Sequence, residues 1–379
     1  MRKVPTVAAV ALLWLTALAQ AQSPADALAL EQQEKWPEAA RAWKAITDRN
    51  PDDAGAFASL GVDLARQQRY AEAASAYRRA LKLNPELPGI ALNLGLAEFK
   101  QGHFTAAATA LHAVLAADPA SVQARTLLGM SYYGARKFDL ASEYLEPVAR
   151  ADPSNAELHQ MLAQSCLWTK KLSCAQQEFA LLLEHNPDSA PTHILMGEAL
   201  DGLGKTPLAI TEFEAAAKIS PSEPNVHFGL GYLYWKSERY EDAKQEFERE
   251  LAVDPNHAQA LAYLGDIAWK NNQPEIALPL LERAIRAGKD LRIAYVDLGA
   301  IYLEQKNYRA AEEALLKAVR LDPKQPGAHY QLGRLYQALG KTAEAEKELH
   351  QVRELREKAD SLAVKMNSSP PAAAPPENK

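Results

Sequence analysis

Four histidines share one register of this chain. His159, His193 and His227 follow one another at intervals of 34 residues, and His329 occupies the same register further on. Imidazole is a common metal ligand, so such a column is the first place to look for chemistry. A metal site needs side chains that converge on a point, whereas residues a full interval apart lie on successive elements, about 8–10 Å apart if those are packed helices. The same register elsewhere holds Phe57, Ala91, Leu261 and Tyr295, the mixture of a packing position. The histidines are therefore expected to pack, and no metal is expected.

Other chemical signals are equally thin. Gly204-Lys205-Thr206 resembles the end of a phosphate-binding loop, but the first glycine of that motif would fall at Ala199. The tripeptide recurs at Gly340-Lys341-Thr342 in the same register, which makes it a turn in which glycine supplies a positive φ. There is no His-Glu-x-x-His pair and no serine nucleophile elbow. Neither catalysis nor a cofactor is expected. Cys166 and Cys174 lie eight residues apart without Cys-x-x-Cys spacing. They fit either a disulfide across a turn or two small buried thiols.

The interval of 34 is the dominant feature. Alanine stands at 39, 73, 107, 141, 175, 209, 243, 277, 311 and 345. Twelve residues ahead of the last nine comes a second small column: Gly61, Gly95, Gly129, Ala163, Gly197, Gly231, Gly265, Gly299 and Gly333. Close-packed interiors demand such small residues where two helices approach closely. Leucine or methionine precedes the second column, and Tyr132, Tyr234, Tyr302 and Tyr336 follow it by three, offsets that share one helical face. Four residues after the alanines come large side chains, Trp43, Tyr77, Leu111, Leu145, Phe179, Phe213, Phe247, Leu281, Leu315 and Leu349. Repeats close on pairs such as Asn50-Pro51 and Asp254-Pro255, which stop a helix; Gly288-Lys289 breaks that pattern, and Gly288 is expected to cap its helix instead.

This pattern strongly resembles the tetratricopeptide repeat family, over roughly residues 20–359. The resemblance implies an all-α fold, a right-handed α-solenoid superhelix of about ten helix-turn-helix repeats. The expected organisation is a signal peptide at 1–21, an abbreviated repeat or cap at 22–53, nine repeats at 54–359, a helical extension at 360–367 and a disordered Pro/Ala tail at 368–379. Ala27 stands at the glycine position of the first unit, and Glu250 stands where most units have Ala, Val or Ile, either loosening the packing or marking a polar contact. Pro147 and Pro279 should kink their helices. A stripe of Leu349, Val352, Leu355, Ala359 and Leu362 should cover the end of the core.

Arg2 and Lys3, an apolar run over residues 7–18 and Ala19-Gln20-Ala21 read as an export signal cleaved before Gln22, so the mature chain is expected in the periplasm or secreted, of the exported bacterial type, without stable membrane insertion. Removing Arg2 and Lys3 from 42 basic residues leaves 40 against 48 acidic, a net charge of −8. That balance disfavours nucleic acid as a partner.

In the resembling family, first-helix residues three before, one after and four after the small column line a concave groove that receives a peptide. Here that stripe includes Leu92, Leu96, Phe99, Met130, Tyr133, Gln160, Gln164, Glu198, Asp201, Phe228, Tyr232, Trp235, Asp266, Trp269, Tyr330 and Arg334. Trp235 and Trp269 are repeat equivalents, followed by Lys236 and Lys270. Aromatic residues dominate binding hot spots. The candidate partner-binding residues are therefore Phe99, Tyr133, Phe228, Tyr232, Trp235, Lys236, Trp269 and Lys270, although the same aromatics would also suit sealing the superhelix by contact across its own groove. Some members of the family clamp a C-terminal carboxylate with basic residues and an asparagine; Asn93 fits, but Ala58 and Leu92 are not basic, so that specificity is not expected. The expected function is a non-enzymatic scaffold that binds an extended peptide or partner segment. The alternatives are a structural subunit of an envelope secretion, pilus or polysaccharide-export assembly, and a glycan-binding module. Oligomeric state is not legible.

Overall fold

Why the repeat alternates a hole with a knob is visible in the space around the small column. A Cβ added to Gly61 would lie 2.4 Å from Cε1 of Tyr77, one on Gly197 would lie 2.6 Å from Cδ2 of Phe213, and one on Gly299 would lie 2.4 Å from Cγ of Leu315. In each case the obstructing group is the large residue sixteen positions later, on the second helix of the same hairpin. Backbone also comes close, since the Ala209 carbonyl oxygen lies 3.3 Å from a Cβ at Gly197. Glycine is thus the hole into which the partner helix inserts its knob, and the alanine column lets that helix approach. All ten alanines are buried, nine of them with no exposed surface. Where the hole is Ala27 or Ala163, both fully buried, Trp43 and Phe179 still pack into the interior.

The computed structural model describes residues 23–368, with side chains to residue 361. The expected signal peptide at 1–21 and the Pro/Ala tail beyond residue 368 lie outside the described residues. Among the described residues there are helices and no strands, arranged as ten hairpins. They pair as Pro24–Gln32 with Trp36–Arg49, Ala54–Arg66 with Tyr70–Leu83, Ile90–Lys100 with Phe104–Ala117, Val122–Gly134 with Phe138–Ala151, and Ala156–Trp168 with Leu172–His185. Then follow Ala190–Gly202 with Thr206–Ile219, Val226–Lys236 with Tyr240–Val253, Ala258–Lys270 with Pro274–Ala287, Arg292–Glu304 with Tyr308–Leu321, and Pro326–Ala338 with Thr342–Ser368. The hairpins form two compact units, Met1–Pro187 and Asp188–Lys379. In the first, Trp43, Ile46, Leu60, Leu64, Tyr77 and Ile90 share one core. In the second, Leu261, Leu281, Leu298 and Ile301 form one cluster, and Leu315, Leu332 and Leu335 another.

The turn inside each hairpin needs one residue in the left-handed region. Gly102, Gly204 and Gly340 supply it, and the same position is filled by Glu34, Gln68, Arg136, Lys170, Glu238, Asn272 and Lys306, at φ of 56° to 60°. A side chain there costs ~1 kcal/mol or more, so tertiary packing imposes the turn on sequences that do not favour it.

Gly288 caps its helix, its N–H donating to the Ala284 carbonyl oxygen at 2.8 Å, without a left-handed turn, for its φ is −143°; a Cβ there would lie 2.9 Å from the Cβ of Ala258. The chain stays helical through Pro147 and Pro279, in the helices Phe138–Ala151 and Pro274–Ala287. In the last helix Val352 is buried and Leu349 and Leu355 are half-buried, but Ala359 is exposed, so the covering stripe ends at Leu355; the Leu362 side chain lies outside the described residues.

Glu250 resolves as a polar contact. Its carboxylate accepts a hydrogen bond from the Phe228 backbone N–H at 3.0 Å. The helix Val226–Lys236 opens on Asn225, which has a φ of 65° and offers no side-chain cap. Glu250, 3% exposed, takes over the capping role from the second helix of the hairpin and places its charge at the positive end of the first.

Asp63 has no such partner. It is fully buried, and neither carboxylate oxygen makes a hydrogen bond. Burial, aided by the charge of Glu31, raises its pKa from 3.8 to about 7. The folded state therefore holds this proton more tightly than the unfolded chain. Its stabilising effect is complete below pH ~4 and is lost as pH rises towards 7.

Three substitutions test these contacts through stability. Gly299→Ala should lower the thermal midpoint followed by circular dichroism, because overpacking of ~1–3 kcal/mol outweighs the ~1 kcal/mol gained in helix propensity. Gly327→Ala, whose Cβ would meet nothing closer than 4.0 Å, should leave the midpoint level or raise it. Asp63→Asn should stabilise the first two hairpins at pH 8 by on the order of 1–3 kcal/mol, with the advantage vanishing near pH 4. A pH-independent difference would show that Asp63 does not carry the raised pKa.

Candidate partner-binding site

Spacing of three and four residues along Val226–Lys236 puts Phe228, Tyr232 and Trp235 on one side of that helix. Tyr263 from the next hairpin inserts among them. Its ring centroid lies 4.8 Å from that of Trp235, 5.7 Å from Tyr232 and 6.1 Å from Phe228. Beneath, Tyr263 stacks on the buried knob Phe247 at 5.5 Å. Burial, with smaller effects from Tyr232 and Asp266, pushes the Tyr263 hydroxyl up to about 12, so it stays a neutral phenol.

Polar groups fix the edge of this cluster. The Trp235 indole N–H donates to Oδ2 of Asp266 at 2.6 Å, and Lys270 Nζ donates to the same oxygen at 2.5 Å. The Lys270 ammonium also lies 4.6 Å from the Trp235 ring centroid and 5.3 Å from that of Tyr240. Lys236 reaches Asp201 at 2.7 Å, and Thr206 donates to that same carboxylate at 3.0 Å. Trp269 is half-buried against the cluster containing Leu281 and Leu298. The structure thus joins Phe228, Tyr232, Trp235 and Lys270 in one network, with the three rings half-buried and Lys270 exposed. Part of each aromatic surface seals one hairpin to the next.

Phe99 and Tyr133 belong to the other unit and make separate contacts. Phe99 meets Phe104 edge-on at 5.7 Å. Tyr133 meets Phe138 at 5.8 Å and its hydroxyl donates to Gln164. Phe138 in turn stacks on Trp168 at 5.9 Å with an interplanar angle of 13°. Trp168 is 64% exposed and had no place among the sequence candidates. Cys166 and Cys174 are bonded, their Cα atoms 5.9 Å apart, so the bond brackets the turn that presents Trp168.

Profiles described as tetratricopeptide repeat match residues 25–88, 92–156, 228–273 and 264–326 in one case, more than half of the chain, and residues 132–199 and 302–365 in another. A profile described as TPR repeat matches residues 197–238. The chain belongs to the tetratricopeptide repeat family. It is a protein–protein interaction scaffold, as repeats of this family generally are. No curated protein matches it. Among solved structures, it is similar in fold to the APC/C hetero-tetramer Cut9-Hcn1, at 15% identity over 87% of this chain and 79% of that one, with a TM-score of 0.52. It is also similar to YrrB, described as a TPR protein with an unusual peptide-binding site, at 23% identity over 50% of this chain and 97% of that one, with a TM-score of 0.38. A third likeness is to MamA from Desulfovibrio magneticus RS-1, at 26% identity over 45% of this chain and 97% of that one, with a TM-score of 0.38.

Within this tetratricopeptide array the histidine column has partners that the sequence reading did not name. Nδ1 of His159, His193, His227 and His329 lies 2.5, 2.6, 2.7 and 2.6 Å from a carboxylate oxygen of Glu178, Glu212, Glu246 and Glu348. Each glutamate follows its histidine by nineteen residues and lies on the second helix of the same hairpin. The Nε2 atoms of His227 and His329 face the carbonyl oxygens of Pro221 and Pro323, at 2.9 and 3.1 Å. These are struts that tie helix to helix and helix to turn. The recurrence of glutamate at the matching register was the signal that could have revealed them. Among the described residues no cluster of three or more His, Cys, Asp or Glu is placed to hold a metal ion, and no helix is long and apolar enough to cross a membrane.

Proposed function

We propose that the face built from Phe228, Tyr232, Trp235 and Tyr263, with Trp269 and Lys270 beside it, receives an extended segment of a partner protein. The observation that supports this most directly is the run of half-exposed aromatic rings in mutual contact across successive first helices, ringed by the Lys236–Asp201 and Lys270–Asp266 pairs. Large rings held rigid by neighbours lose little entropy on binding, which is why tryptophan and tyrosine concentrate binding energy. Phe99 and Tyr133 hold the equivalent register in their own repeats of the other unit and offer a separate contact.

The proposal places the chain outside the cytoplasm, in the periplasm or secreted. The basic, apolar and small-residue succession at residues 1–21 supports it. The Cys166–Cys174 bond is consistent with an oxidising compartment. A glycan-binding reading draws on a different observation, the flat platform of Phe138 and the exposed Trp168, since such faces also stack on sugar rings.

Trp235→Ala combined with Trp269→Ala should weaken capture of the partner from envelope extract by about 30-fold or more, the loss of at least one hot spot. The comparison holds if circular dichroism shows an intact fold. Undiminished capture would move docking away from this face and favour an assembly subunit that binds through other surfaces. Mass spectrometry of the protein purified from the envelope should show a chain beginning at Gln22 and two hydrogens lighter than the dithiol form. A chain retaining Met1 would overturn the export proposal.

A further inference from the structure

Beside Asp266 the array buries a second carboxylate. Asp297, on the helix Arg292–Glu304, is the repeat equivalent of Tyr263 in the preceding hairpin. Tyr263 fills its place among aromatic rings with a ring of its own. Asp297 puts a carboxyl group in that position. It is only 7% exposed and Asp266 only 5%, and Oδ2 of Asp297 is buried without a hydrogen-bond partner. Burial first, and the charge of Asp266 second, hold the Asp297 carboxyl well above the usual carboxylate range, while Lys270 and Arg292 act in the opposite sense. An unpaired polar group in such a place is costly, and native interiors seldom keep one without a use.

The neighbouring lysine shows which chemistry the place accepts. The Lys270 ammonium is held by Asp266 at 2.5 Å and lies over the Trp235 and Tyr240 rings at 4.6 and 5.3 Å. A carboxylate flanked by aromatic faces suits an organic cation, because the rings attract positive charge without hydrating it. Lys270 is committed to Asp266, and neither it nor Arg292 hydrogen-bonds the buried Oδ2 of Asp297. The Lys270 side chain is 38% exposed, so it borders solvent at the edge of the cluster.

We propose that Asp297, with Asp266, binds the guanidinium group of an arginine in the partner segment, entering beside Lys270. A planar guanidinium can donate to the unpartnered oxygen while its face lies along an indole, which a compact ammonium cannot do. The inference rests on the reading of this face as a peptide-binding surface and names the side chain that the surface selects.

The test uses the full chain with butylguanidinium, its neutral isostere butylurea, and calcium chloride, followed through the indole N–H resonances of Trp235 and Trp269. Butylguanidinium should produce a saturable shift of both, butylurea should produce none, and Asp297→Asn should weaken the response by about tenfold or more, as expected on losing a charge-assisted hydrogen bond. Asn occupies the same volume, and the butylurea comparison on the unaltered chain stands even if that variant misfolds. Equal responses to butylguanidinium and butylurea, an undiminished response in folded Asp297→Asn, or a response to calcium alone would each overturn the assignment. If partner capture depends on Trp235 and Trp269 while butylguanidinium fails to bind, the charge assignment alone is wrong. If butylguanidinium binds at Asp297 while capture ignores the tryptophans, the cation site stands and the peptide reading of the face fails.

Discussion

The array depends on one steric bargain struck in every hairpin: a residue without a side chain on the first helix faces a large one on the second. Gly265 against Leu281 and Gly333 against Leu349 repeat the arrangement of Gly61 against Tyr77, with an added Cβ always meeting the knob at 2.4 to 2.8 Å. Dispersion and apolar burial are gained only at contact distance, so the fit fixes the separation of the two helices. Once that separation is set, the alanine twelve residues after the hole has nowhere to project and stays fully enclosed. The short turn between them is left-handed even where Arg136 or Lys306 must adopt it. Local cost is accepted for interhelical packing.

Polar groups in the interior divide into two kinds under this constraint. The His–Glu pairs from His159 to His329 and the Glu250 cap close hydrogen bonds between helices whose positions the knobs have already determined. They add direction to a contact that apolar packing leaves free to slide. Asp63 and Asp297 close no such bond through their buried oxygens. In both, burial holds the proton more tightly than water would, Asp63 up to about 7 and Asp297 well above the usual carboxylate range.

The aromatic face itself shows why packing and recognition are hard to separate in a solenoid. Trp235 spends its N–H on Asp266 and one part of its ring on Tyr263 and Lys270, yet remains half-exposed. The contacts that join neighbouring hairpins also hold the remaining surface rigid. A partner meeting such a surface orders little on arrival, which concentrates affinity in a few side chains.

How much was legible follows from the range of each interaction. The hairpin, its hole and its knob recur every 34 residues, and a periodic steric demand leaves a periodic residue type, so the repeat fold and the register of Phe228, Tyr232, Trp235 and Trp269 could be read from the chain. Spacing also placed the histidines at packing positions. It did not disclose that Tyr263 inserts among three rings, that Glu250 caps a helix beginning 24 residues earlier, that Trp168 stands outward, or that Oδ2 of Asp297 lacks a hydrogen-bond partner. Those outcomes depend on which side chains meet between adjacent helices, and the same residue type one repeat away meets different neighbours. The periodic sequence determined the unit, whereas only the packed hairpins decided which of its equivalent positions are filled, paired or left with an unpartnered oxygen.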